Sequence, residues 1–240
     1  MNLPRFSVFE AIVFAFKTVI DNIRLFFFAG LAKLGFFFSL FLVFSLFSIN
    51  IIKKLWVQWP SFVALFKSPS IEVFKSSAQQ LWTNISGPLS QYIVIFSIFA
   101  IIAFVLGIGI YLGFIRIVLK LHDTGSSSVK LLFSCFGLIP KTLLSMILYM
   151  IMVGVGMSLF IIPGIYLMFR GMFFPFFIVD RNAGIVDSIQ KSFAITKGQV
   201  WQLFALLLVA PLIFQFGPAV ILVIAPFMTT AQVYAYRKLA

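Results

Sequence analysis

The chain of 240 residues is predicted to be an all-α polytopic membrane protein with about six transmembrane helices and interfacial amphipathic helices, arranged as three helix-hairpin repeats. Three observations predict this class. The composition is 62% hydrophobic and only 10% charged, with a mean hydropathy of +1.14, whereas a soluble domain carries about one quarter charged residues. Apolar runs long enough to cross a bilayer recur along the chain. Helical-period segments with a polar stripe precede several of them.

Net charge is +12, from 18 Lys+Arg against 6 Asp+Glu. The basic residues are scattered among the ends of apolar runs, which fits membrane orientation and attraction to anionic headgroups rather than nucleic acid. Membrane lipids are therefore the expected partners. A single cysteine, Cys135, excludes an intramolecular disulfide and a multi-cysteine metal site. The beginning of the chain lacks the basic, apolar, small-residue order of a signal peptide.

A helix crosses hydrocarbon with about 17 to 25 residues. The runs that meet or approach this length are 34–52, 92–119, 143–162, 165–179, 200–216 and 219–236. Pro163-Gly164 joins the third to the fourth and Gly217-Pro218 the fifth to the sixth, which predicts tight hairpins. Pro175, Pro211 and Pro226 interrupt the last three.

Segment 7–24 is expected to be an interfacial helix. Glu10, Lys17, Asp21 and Arg24 lie on one line, and Ser7 with Glu10 forms a capping box. Val129, Leu132, Phe133 and Phe136 suggest a second such helix, with Lys130 and Lys141 around it. Segment 183–197 makes a third, with Ile185, Ile189 and Phe193 as its apolar face. Asp187 stands four residues before Lys191, Gly198 suits a left-handed C-cap, and Asp180 or Asn182 is placed to cap the start. The first and third units align without gaps, "VFEAIVFAFKTVIDNIRLFF" over "IVDSIQKSFAITKGQVWQLF".

Lys/Arg counting predicts both termini on the cytoplasmic side. Twelve basic residues from Arg5 to Lys238 then fall inside, against Lys53, Lys54, Lys67 and Lys75 in an outer loop over 53–91. Trp56, Trp59 and Trp82 would lay that loop along the outer headgroups.

Catalytic chemistry has little to work with, so no enzyme, cofactor or metal is expected. The one histidine, His122, has Asp123 beside it and no third partner in sequence, and no Ser-His-Asp arrangement is read there. An intramembrane enzyme would require Asp180, Asp187 and His122 to converge. There is no Walker sequence and no dinucleotide-type glycine motif. Gln202, Gln215 and Gln232 are too few to outline a water-filled path. Lys33 is expected to snorkel at the inner end of the first span.

Arg170 stands out as the one charge within "IIPGIYLMFRGMFFPFF". A guanidinium at the bilayer centre costs roughly 3 kcal/mol on insertion scales. Two readings are open. The stem lies in hydrocarbon while the head snorkels to phosphates, or the head faces the bundle as a lipid or anion contact.

The stretch 161–204 resembles a broad group of bacterial integral membrane proteins. The group includes the YciC-type inner-membrane proteins and the membrane domain attached to some glycerophosphodiester phosphodiesterases. The likeness rests on the Pro-Gly hairpin, on the acid Asp180, and on Ser188, Ser192, Phe193, Thr196, Lys197 and Gly198, followed by Trp201. The phosphodiesterase catalytic domain is absent, so the resemblance implies a fold and no activity. The expected role is that of a non-catalytic protein of the bacterial cytoplasmic membrane, acting in envelope homeostasis through lipid or protein binding. The alternative is a small transporter or lipid-translocating protein.

Overall fold

A computed structural model describes residues 7–214 and 221–240, with side chains in 209–225 left aside. Ten α-helices are described: α1 (Val8–Asp21), α2 (Ile23–Val57), α3 (Trp59–Leu65), α4 (Ile71–Thr124), α5 (Ile139–Leu159), α6 (Ile161–Gly171), α7 (Phe174–Arg181), α8 (Ile185–Ile195), α9 (Val200–Phe214) and α10 (Ile221–Leu239). Among the described residues there is no strand. Four helical segments, Ile23–Leu65, Ile71–Thr124, Val129–Leu159 and Ile161–Arg181, are long and apolar enough to cross a membrane. The runs at 200–216 and 219–236 correspond to α9 and α10, and the Gly217-Pro218 hairpin expected between them lies outside the described residues.

The chain divides into two compact units, Leu34–Val105 and a second formed by Met1–Lys33 with Leu106–Ala240. In the first, α2 and α4 meet through Phe44, whose ring lies 4.9 Å from Phe99 and 6.1 Å from Tyr92. The expected loop over 53–91 is instead mostly helix, with α2 running to Val57 and α4 starting at Ile71. Pro60 falls in the first turn of α3, where its missing N–H breaks no bond. Pro88 sits inside α4, and the helix continues through it. Trp56 and Trp59 stack at 6.2 Å across the bend between α2 and α3.

The second unit holds most of the buried apolar residues, including Ile110, Leu112, Ile115, Leu132, Phe173, Phe176 and Tyr236. Its α1 begins as expected, with Ser7 Oγ accepting from the Glu10 N–H at 3.4 Å. The Glu10 carboxylate does not complete the capping box. It accepts from Tyr234 Oη at 3.0 Å, joining α1 to α10. Segment 129–138 forms two 3-10 turns rather than an amphipathic α-helix. It crosses α4 where Gly113 has no Cβ, and any side chain there would collide with the Leu132 backbone. Such a close approach fixes the tight turns in place of a wider helix.

The α5–α6 hairpin turns at Phe160, in extended conformation, and not at Pro163-Gly164, which lie inside α6. Proline is tolerated in a first turn, where its N–H would be unpaired anyway. Gly164 lets α6 press on α5, since a Cβ there would meet Met157. The run at 165–179 is broken into α6 and α7. Asn182 does not cap α8. It takes a left-handed conformation (φ 49°) as the C-cap of α7, and Gly184 occupies the α8 N-cap position.

Candidate functional site

The break between α6 and α7 follows from Pro175, whose nitrogen has no hydrogen to offer the Gly171 carbonyl. Neighbouring backbone groups are thereby released from the helical ladder, and α8 satisfies them. Ser192 Oγ accepts from the Phe173 N–H at 3.0 Å and donates to the Arg170 carbonyl at 2.8 Å. Thr196 Oγ1 lies 3.0 Å from the same carbonyl and 2.7 Å from the Ser192 carbonyl. Ser188, Ser192 and Thr196, four residues apart, form one buried hydroxyl stripe along α8 and its C-cap. The apolar side of the same packing joins Ile189 to Phe174 and Ile178.

Arg170 is half-buried at the C-terminal end of α8. Nη2 donates to the Phe193 carbonyl, Nη1 donates to Tyr166 Oη at 3.2 Å, and Nε is buried without a hydrogen-bond partner. The guanidinium carbon lies 5.2 Å from the centre of the Phe193 ring and 5.5 Å from that of Tyr166. A cation among the last carbonyls of a helix complements its dipole. Beside Tyr166, an apolar groove of about 650 Å³ lies between α6 and α9, lined by Ile165, Phe169, Trp201 and Phe204 among others. Trp201 is 80% exposed at its edge.

A second polar centre joins the ends of α4, α7 and α10. Arg237 donates from Nε and Nη2 to Asp123 at 3.0 and 2.5 Å, and from Nη1 and Nη2 to Asp180 at 2.7 and 2.9 Å. Tyr236 Oη donates to Asp180 at 2.9 Å, and His122 Nδ1 lies 3.3 Å from Asp123. Burial alone would lower the pKa of Arg237. The bonds to Asp180 and Asp123 more than reverse that, raising it above the ordinary arginine value.

His122 and Asp123 thus have a third partner after all, supplied from 114 residues away. Asp187 stays apart, paired with Lys191 at 2.7 Å as expected from their spacing. Hence Asp180, Asp187 and His122 do not converge, and among the described residues no group of three His, Cys, Asp or Glu could hold a metal ion. The Arg237 junction went unforeseen because its members are dispersed along the sequence, with Arg237 looking like one of two ordinary terminal cations. Lys33 Nζ sits 5.9 Å from the centre of the Phe114 ring.

No family model, no curated protein and no solved structure matches this chain.

Proposed function

We propose that this chain is a non-catalytic integral membrane protein of the bacterial cytoplasmic membrane, with both termini inside, that binds membrane lipids in envelope homeostasis. The observation that carries the reading is the apolar groove between α6 and α9. Its volume is within the range of small-molecule sites, and its walls offer an acyl chain only hydrocarbon and aromatic faces. The polar edge is supplied by Tyr166, which lines the groove and accepts from Arg170. Two of the guanidinium nitrogens are held by protein oxygens, so Arg170 meets a lipid from a fixed position rather than as a free charge.

The test is to purify the protein in native-membrane nanodiscs and compare retained lipids by mass spectrometry with those of Ile165→Trp, which fills the groove, and Arg170→Leu. Wild type should enrich one lipid class that Ile165→Trp loses and Arg170→Leu weakens. Bulk membrane composition in all three would sink the reading. A lipid-translocating protein is the second reading, favoured by the broken α6–α7 segment, because interrupted spans accompany binding sites in transporters. It additionally requires lipid scrambling or flux in proteoliposomes that stops in Ile165→Trp.

A further inference from the structure

The Arg237 junction borders an open cleft of about 350 Å³, lined by Arg116, Lys120, Asp123 and Asp180, with Leu131 and Val179 among its apolar walls. On the acidic wall the charges are already matched. Asp123 and Asp180 pair with Arg237 at 2.5 and 2.7 Å, and Arg181 stands 3.8 Å from Asp180, so two carboxylates face two guanidiniums. Each of the four carboxylate oxygens also accepts a hydrogen bond from Arg237. This wall is therefore close to neutral toward an entering ion.

The basic wall is not matched. Arg116 and Lys120 are four residues apart on α4 and share a face. Both are exposed, and among the described residues neither has a carboxylate partner. Arg116 Nη1 donates to Ser134 Oγ at 3.4 Å and lies 3.8 Å from the buried Cys135 Sγ, which tethers the guanidinium to the segment 129–138. Its Nε and Nη2 hydrogens are left for a ligand, in a fork that suits two oxygens of one phosphate. Lys120 adds a second cation on a flexible stem. The cleft thus holds two positive charges that the chain itself does not answer.

A phosphodiester carries one negative charge and answers only one of them. A phosphomonoester carries about −1.5 to −2 at neutral pH, close to what the two cations lack, and concentrates it on one small group. Leu119, Leu131 and Val179 give the carbon side of the ester an apolar surface.

We propose that this cleft binds a phosphomonoester, its phosphate held by the Arg116 guanidinium and the Lys120 ammonium. The ligand comes either from a lipid headgroup of the phosphatidate type or from a soluble ester such as glycerol phosphate. The site is separate from the groove between α6 and α9 and does not rest on it.

The experiment measures dissociation constants for the full chain in detergent by microscale thermophoresis. The probes are dihexanoyl phosphatidate, dihexanoyl phosphatidylglycerol and free glycerol 3-phosphate. Phosphatidate should bind about fivefold more tightly than phosphatidylglycerol, the worth of one exposed charge pair. Arg116→Gln/Lys120→Gln should remove that preference and most of the binding with the melting temperature unchanged, since both side chains are exposed. Lys53→Gln/Lys54→Gln takes the same charge from another exposed pair and should leave the constants unchanged. Ile165→Trp should leave them unchanged too, and loss of binding in that variant would assign the probes to the groove and overturn the cleft. Glycerol 3-phosphate binding as tightly as phosphatidate supports the site with a soluble source, and binding of phosphatidate alone supports it with a membrane source. Equal affinity for the two lipids, an unaffected Arg116/Lys120 variant, an equal loss in the Lys53/Lys54 variant, or no binding of any probe overturns it.

Discussion

Arg170 and Arg237 are both half-buried guanidiniums against aromatic rings, but they are held by partners of different kinds. Arg170 bonds a backbone carbonyl and a phenol, neither of them charged. Arg237 grips two carboxylates with paired bonds and lies 5.4 Å from the Tyr236 ring centre. The first arrangement finishes a helix locally. The second ties together three helix ends distant in sequence, so its removal leaves two charges facing one another. Proximity to rings therefore says little about what an arginine contributes, and the charge of its partners says more.

The sharpest way to break this comparison is Arg237→Leu. With only Arg181, 3.8 Å from Asp180, left beside them, Asp123 and Asp180 should cost about 2 kcal/mol, below the penalty for a fully buried pair because both sides are partly exposed. A fall in melting temperature in detergent, partly restored by adding Asp123→Asn, would show it. Next comes Ser192→Ala/Thr196→Val, which strips the partners from the Arg170 carbonyl and the Phe173 N–H. A loss of about 2 kcal/mol is expected for unsatisfied buried backbone groups, read as the same melting shift plus faster amide exchange at Phe173. The smallest effect belongs to Arg170→Leu, about 1 kcal/mol for a cation at a helix C-terminus. If its melting shift equals that of Arg237→Leu, the distinction between neutral and charged partners fails.

Local features of the fold were legible in the sequence where chemistry and spacing coincide. Ser7 at the α1 N-cap and the Asp187–Lys191 pair are fixed by neighbours within four residues, and Gly198 is left-handed (φ 78°) as expected, although the α8 C-cap position itself falls two residues earlier, at Thr196. The apolar class of the chain was legible too, since four helices are long and apolar enough to span a membrane. The limits of 165–179 were not, because a proline breaks a helix only where something else takes up the freed groups. Pro175 has the α8 hydroxyls beside it and the chain divides there, while Pro88 leaves α4 continuous. The segment 129–138 misled for a related reason, as its helical spacing lies where Gly113 leaves room only for tighter turns. Arg170 attracted notice through its apolar flanks, which reveal isolation along the chain but not the Phe193 carbonyl above it. The pairing of Arg237 with Asp123 and Asp180 has no local signature at all.

Cys135 has a practical consequence. It is the chain's one cysteine and is 0% exposed, enclosed near Ser134 and Arg116. A thiol reagent acting on the folded protein therefore meets a blank background without any engineering. One cysteine introduced at an exposed position such as Ser70 or Ser126 becomes a unique chemical address. With a membrane-impermeant maleimide applied to intact cells, such addresses report which side of the bilayer each stretch of chain faces.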